Sequence, residues 1–273
     1  MKRIAFIGAG SMAEAMIAGM VKTGLVESKN IIVTNKHDEQ KLQRLAHTYG
    51  VRITYNREEL FKDTDIIVLA MKPKDIKSAI SDIRDYLKKH HLLVSVLAGV
   101  SLQTLEEGVG KQIPIVRAMP NTSATIQKSA TAISFNRWVS EKQKQIAREL
   151  FAAIGLVTEV AEEQLDAVTG LSGSGPAYIY YIVEAMEESA EQIGLEKDKA
   201  KQLIVQTLIG AAEMLSMSEK QPSELREAVT SPGGTTEAGI RMLDQRKVKE
   251  ALIDCIQAAT KQSKTLGERL RVL

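Results

Sequence analysis

Two spacings of apolar positions alternate along the first 160 residues. Short runs rich in β-branched side chains fall at 3–7, 31–34, 65–70, 92–97 and 113–119. Between them, segments such as 12–22, 38–47 and 75–87 carry apolar residues at helical spacing. Continuous apolar strands separated by helices predict a parallel sheet covered on both faces. Runs at 130–135 and 155–160 read as two further strands around a helix over 141–153. After about residue 162 the strand signals stop. Ile179, Ile182, Val183, Met186, Ala190 and Ile193 share one helical face, and Glu184, Glu187, Glu188 and Glu191 fill the other. Ala200, Leu203, Ile204, Thr207, Leu208, Ala211 and Leu215 repeat the pattern, as do Val248, Ala251, Leu252, Cys255, Ile256 and Ala259. The pattern predicts an α/β Rossmann-type domain over 1–161 and an all-α domain over 162–273. Three or four helices bury little by themselves, so their apolar faces point to a partner surface.

Composition narrows the function. The chain has 273 residues with 36 Lys+Arg against 34 Asp+Glu, a net charge of +2, and only 4% aromatics. Such a balance argues against a dedicated nucleic-acid binder. The single cysteine, Cys255, excludes a disulfide framework and a multi-cysteine metal site. On its apolar stripe it reads as a buried structural thiol. No metal site is expected, because the four histidines lack H-x-x-x-H spacing. No apolar stretch reaches ~18 residues, and the run after Met1 breaks at Gly8, so the expectation is a cytoplasmic protein without membrane association. The small net charge hides a division: residues 1–150 hold 23 Lys+Arg and 15 Asp+Glu, whereas 151–273 hold 13 and 19. The basic half suits a phosphate-bearing ligand.

The first strand runs through Ile7 into Gly8-Ala9-Gly10-Ser11-Met12-Ala13, a G-x-G-x-x-A loop that opens a helix. Gly8 permits the tight turn, Gly10 admits a pyrophosphate close to the backbone, and Ala13 lets the helix pack near the sheet. The free N–H groups of that helix start favour the anion. The second strand ends at Asn35-Lys36 with no carboxylate for a ribose 2′-hydroxyl. An amide and a cation there suit a 2′-phosphate, so NADPH is expected, with NADH as the alternative. Ala70-Met71-Lys72-Pro73 and Ala98-Gly99 follow two further strands and supply small residues beyond their carboxyl ends, where open α/β sheets bind ligands.

Two motifs lie in the second half. Residues 166–177 place three glycines and two serines between helical segments, which suits either a hinge or a close helix crossing. Ser231-Pro232-Gly233-Gly234-Thr235-Thr236 is a turn feeding a helix, whose first N–H groups and two hydroxyls point to a carboxylate site. The bland alternative is a well-capped helix with threonine as its cap.

Taken together, these motifs resemble Δ1-pyrroline-5-carboxylate reductases over nearly the whole chain. The resemblance rests on Phe6 to Gly10, Ala70-Met71-Lys72-Pro73, Arg117-Ala118-Met119-Pro120-Asn121-Thr122, residues 166–177 and, most specifically, Ser231 to Thr236. It implies a two-domain plan like that of 6-phosphogluconate dehydrogenase, with a helical dimerisation domain that forms a homodimer or a ring of dimers. It also implies NADPH-dependent reduction of the cyclic imine 1-pyrroline-5-carboxylate to L-proline, the last step of proline biosynthesis. The residues it would place at the cofactor are Ile7 to Met12, Asn56, Ala70 to Pro73, Ala98 and Asn121. It would place Glu219, Gly233, Gly234, Thr235 and Thr236 at the substrate. The chain departs from the usual pattern at Ser11, Met71 and Ser123, where the family often has Asn, Val and Pro. No acid or base stands in the substrate motif, so Thr236 is the candidate to hydrogen-bond the ring nitrogen. A β-hydroxyacid dehydrogenase shares the plan, but the position of its catalytic lysine falls at Ile179. A non-catalytic, ligand-sensing relative is the other alternative.

Overall fold

The computed structural model describes residues 2–271. Two compact units make up the chain. One is formed by the residues up to Pro176 with those from Gln257 on, and the other is Ala177–Ile256.

The first unit alternates strand and helix. It runs β1 (Ile4–Ile7), α1 (Ser11–Lys22), β2 (Ile31–Thr34), α2 (Glu39–Tyr49), β3 (Arg52–Ile53), α3 (Arg57–Phe61), β4 (Ile66–Leu69) and α4 (Ile76–Ile83). It continues through β5 (Leu92–Ser95), α5 (Leu102–Val109), β6 (Ile115–Met119), β7 (Ser129–Phe135), α6 (Glu141–Ala152), β8 (Gly155–Glu159) and the short α7 (Leu165–Val168). A π-helical turn, Thr169–Gly173, leads into α8 (Gly175–Gln192). The sheet order is β3-β2-β1-β4-β5-β6-β7-β8. β1 to β6 are mutually parallel, with Ile7 level with Thr34 on one side and Leu69 on the other. The wholly parallel expectation fails at one junction: β7 runs antiparallel to β6, with Ala118 opposite Ile133. The short link after β6, holding only a 3-10 turn at Thr122–Ile126, is too brief for a helical crossover.

The apolar runs are continuous because both faces of each strand are buried. On one face Ile4, Phe6, Val33 and Val68 pack with Met16 and Leu45 of α1 and α2 and with Phe151 of α6. On the other, Ala5, Ile7, Ile67 and Leu69 pack with Leu60, Ile80 and Leu105 of α3, α4 and α5. Phe6 and Phe151 are fully buried, and truncating either to Ala would cost about 3–5 kcal/mol.

The second unit is helical, as its spacing predicts. Beyond the body of α8 it holds α9 (Lys197–Met217), α10 (Pro222–Ala228), α11 (Thr235–Gln245) and the start of α12 (Val248–Arg271). Its apolar stripes are only partly covered. Ala200 and Ile204 of α9 are buried, but Leu203 and Leu215 on the same stripe are exposed. Cys255 is likewise exposed, correcting the buried thiol expected from its position. A stripe at helical spacing shows which side seeks burial, and in the single chain these helices have too few neighbours to provide it.

The units also differ from the boundary expected at 161/162. Residues 162–176 and the end of α12 pack with the sheet. Leu165 is fully buried, and the Ser263 hydroxyl donates to Asp166 Oδ1 at 2.6 Å.

Candidate active site

The parallel arrangement of β1 to β6 brings six loops to one edge of the sheet, the one beyond the carboxyl ends of those strands. The expected cofactor residues lie on these loops or at the strand and helix ends that border them, with Ile7 at the end of β1 and Ser11 and Met12 at the start of α1.

After β1, Gly8 adopts φ +107° and donates its N–H to Thr34 O at 2.8 Å. A Cβ at Gly8 would lie 2.5 Å from the Ala70 carbonyl carbon and the Met71 nitrogen. Ile7 and Ala9 are buried, and Gly10 is the N-cap of α1 with no side chain capping the helix. The first amides of α1, at Ser11, Met12 and Ala13, therefore point beyond the sheet edge without intrahelical acceptors. Glu14 stands in the same first turn. Arg44 of α2 grips it with two hydrogen bonds of 2.7 and 2.6 Å, and that guanidinium lowers the Glu14 pKa. The acid is thus matched by α2 and does not counter the positive helix end.

After β2, Lys36 is exposed, and Asn35 has local work to do. The Asn35 amide donates to Asp38 O at 2.6 Å, while its Oδ1 accepts from Asp38 N at 2.9 Å and the Tyr55 hydroxyl at 3.1 Å. Asn35 shapes the turn that presents Lys36. Asn56, after β3, caps α3 by accepting from Glu59 N at 3.0 Å. After β4, Ala70 is buried and donates its N–H to Ile7 O, and Met71-Lys72 leads to Pro73 at the first position of a 3-10 turn. After β5, Ala98 is half-buried and Gly99 takes φ +74°. Asn121, after β6, is buried. Its Oδ1 accepts from Ser123 N, and its amide donates to Ser172 O at 3.0 Å.

These residues fit a dinucleotide. They offer an uncapped helix start for the pyrophosphate, no acid in the Thr34-Asn35-Lys36 stretch, and small residues at 70 and 98–99.

The expected substrate residues lie in the second unit. Gly233 takes φ +72° and Gly234 is the N-cap of α11, again with no side-chain cap. The threonine-cap alternative therefore fails: Thr235 and Thr236 are the first helical residues, and both are exposed. Glu237, which no motif singles out, also belongs to this turn. Its Oε2 folds back to accept the Gly233 N–H at 2.8 Å, so that amide is taken. The Thr235, Thr236 and Glu237 amides are the ones left without intrahelical acceptors at the helix start. Glu219 is exposed in the link between α9 and α10.

One polar cluster of the first unit was not foreseen. Arg117, on β6, is 5% exposed and lies 3.2 Å from Glu162 Oε1 and 3.5 Å from Asp166 Oδ1. A lone arginine inside an apolar run was the available signal, since buried charges need partners. Among the described residues no group of three or more His, Cys, Asp or Glu could hold a metal, and no helix is long and apolar enough to cross a membrane.

A family model described as pyrroline-5-carboxylate reductase dimerisation matches residues 162–266, and one described as NADP oxidoreductase, coenzyme F420-dependent, matches residues 3–99. Pyrroline-5-carboxylate reductase 2 of Bacillus subtilis (strain 168) is 47% identical over 269 residues, covering 98% of this chain and 96% of that protein. A pyrroline-5-carboxylate reductase structure from Coxiella burnetii superimposes with a TM-score of 0.88 at 39% identity, covering 97% of this chain and 98% of the other. The Plasmodium falciparum pyrroline carboxylate reductase with NADP bound gives 0.88 at 29% identity, with the same coverage. The chain belongs to the pyrroline-5-carboxylate reductase family.

Proposed function

We propose that the chain uses NADPH to reduce 1-pyrroline-5-carboxylate to L-proline. The observation that carries this reading is a pair of helix starts, each capped by a glycine and by no side chain. Gly10 opens α1 in the sheet unit, and Gly234 opens α11 in the helical unit. One suits a pyrophosphate and the other a substrate carboxylate.

The α1 amides at Ser11, Met12 and Ala13 hold the pyrophosphate, and the exposed Lys36 meets the 2′-phosphate. Asn35 and Asn56 hold the loops beside it in shape. The turns at Ala70–Pro73 and Ala98-Gly99 leave room for the ribose and nicotinamide, and Asn121 closes that edge. NADPH supplies the hydride, which adds to the C=N carbon. The Thr235 and Thr236 amides hold the carboxylate, and Glu219 lies near the substrate. The Thr236 hydroxyl hydrogen-bonds the ring nitrogen, which gains its proton from solvent or enters the site already protonated. Orientation then supplies most of the rate.

The exposed apolar stripes of α8, α9 and α12 and the match to a dimerisation model support a homodimer, with a ring of dimers as the larger assembly. The protein acts in the cytoplasm. The reading is tested by mixing protein, NADPH and 1-pyrroline-5-carboxylate and measuring proline against NADPH lost. One proline per NADPH is expected. NADPH binding without turnover would favour a ligand-sensing relative.

A further inference from the structure

The Ala98-Gly99 turn is gripped from a direction that the sequence gives no hint of. α12 ends against it. A Cβ at Gly267 would lie 2.8 Å from Gly99 O, and one at Gly99 would lie 3.3 Å from Gly267 N. The two backbones meet with no side chain between them, and Leu266 Cβ closes the same contact. A second chain of contacts holds the far end of the turn. Leu102 N, at the start of α5, donates to Glu162 Oε1 at 2.5 Å, the same oxygen that lies 3.2 Å from Arg117 Nη1. Arg117 Nη2 reaches Asp166, and Asp166 accepts from Ser263, one helical turn before Gly267. The circuit Gly99–Gly267–Ser263–Asp166–Arg117–Glu162–Leu102 is closed, and every member belongs to the first unit.

We infer that Gly267 and Ser263, on the last helix, are positioning residues for the reaction: they fix the turn after β5 against which the nicotinamide half of the cofactor lies. The inference rests on the proposed function for the placement of the cofactor at that turn. Its physical basis is that a displacement of about 1 Å at a cofactor site costs up to about 100-fold in rate even when the change lies away from the chemistry. Neither residue is needed for its helix. Alanine is a better helix former than glycine, so Gly267→Ala strengthens α12 locally while forcing Gly99 O to move. Ser263→Ala adds no atom and removes one hydrogen bond from a buried hydroxyl.

The test compares NADPH KM, kcat and directly titrated NADPH Kd for the full-length protein and four variants. Gly267→Ala should raise Kd and KM for NADPH and lower kcat, so that kcat/KM for NADPH falls roughly 10-fold or more. Ser263→Ala should raise them by about threefold, with Ser263→Thr, which keeps the hydroxyl, near wild type. The control is Gly108→Ala on α5, whose Cβ would press Ile80 at 3.3 Å, outside the circuit. It should leave NADPH KM unchanged. The inference is overturned if Gly267→Ala and Ser263→Ala both bind NADPH within about twofold of wild type, or if Gly108→Ala shifts Kd as much as they do. Should Gly267→Ala fail to fold, Ser263→Ala and its threonine rescue decide alone. Failure of the proposed function reads differently: the wild type would then bind NADPH without reducing the imine, and the Kd comparison would still decide the positioning role.

Discussion

Gly8 and Ala70 touch backbone to backbone: a Cβ on Gly8 would stand 2.5 Å from the Ala70 carbonyl. That contact joins the loop after β1 to the loop after β4, both on the expected cofactor edge. Gly8 also sits at φ +107°, where side chains are strained. Gly8→Ala therefore meets two penalties, of about 1–3 kcal/mol for the backbone and a similar amount for the overlap. We expect a melting temperature lower by roughly 5–10 °C and NADPH affinity lowered with it. A variant that melts within about 1 °C of wild type would contradict the contact.

Lys36 tests the choice of cofactor. The Thr34-Asn35-Lys36 stretch carries no acid, and Asn35 is occupied within its own turn, so Lys36 is the expected phosphate partner. A charged hydrogen bond is worth about 1.5–3 kcal/mol. Lys36→Ala should thus raise the NADPH KM by roughly tenfold or more and leave the NADH KM near wild type. Equal effects on the two cofactors would remove Lys36 from the 2′-phosphate. The NADPH effect should shrink at high salt, because the site is exposed.

Much of the sheet is legible in the amino-acid sequence. Strands buried on both faces read as unbroken apolar runs, and glycine spacing marks the turn after the first. β3 escapes because it has two residues, one of them Arg52. The direction of β7 escapes because periodicity carries no sign. The asparagines are half legible: their types suggest ligand contact, while their hydrogen bonds to nearby backbone, at Asp38, Glu59 and Ser123, depend on local turns. Cys255 misleads because a stripe at helical spacing marks the side that seeks burial, and in the single chain that side of α12 is left exposed. The Ser263–Asp166 bond spans 97 positions, and no local pattern encodes it.

His91 gives the fold a pH dependence. It is 1% exposed, its Nδ1 accepts from Lys88 N, and burial pushes its pKa down to about 4. Unfolded, it titrates near 6.5. Between these values the unfolded state binds the extra proton, so stability rises with pH and is lost as pH falls from about 6.5 towards 4. The full effect is up to about 3 kcal/mol. Urea melts at pH 5 and pH 7 should show this loss, and His91→Phe should flatten it. An equal slope in the variant would assign the dependence elsewhere.

Arg117 carries the two carboxylates of its cluster. Arg117→Met leaves Glu162 and Asp166 partly buried without their cation, and we expect a loss of about 2–3 kcal/mol in chemical denaturation. A loss below about 0.5 kcal/mol would mean that water already screens the pair.

Reduction of the imine depends most directly on Thr236, the side chain proposed to hold the ring nitrogen. The decisive measurement is initial-rate loss of reduced-nicotinamide absorbance on adding 1-pyrroline-5-carboxylate, with NADPH and NADH in parallel, for wild type, Thr236→Ser and Thr236→Ala. The expected result is turnover with proline as product, NADPH the better cofactor, the serine variant close to wild type, and kcat/KM for the alanine variant lower by roughly 10- to 100-fold. Wild type that binds NADPH but leaves the imine untouched, or an alanine variant with unchanged turnover and affinity, would contradict it.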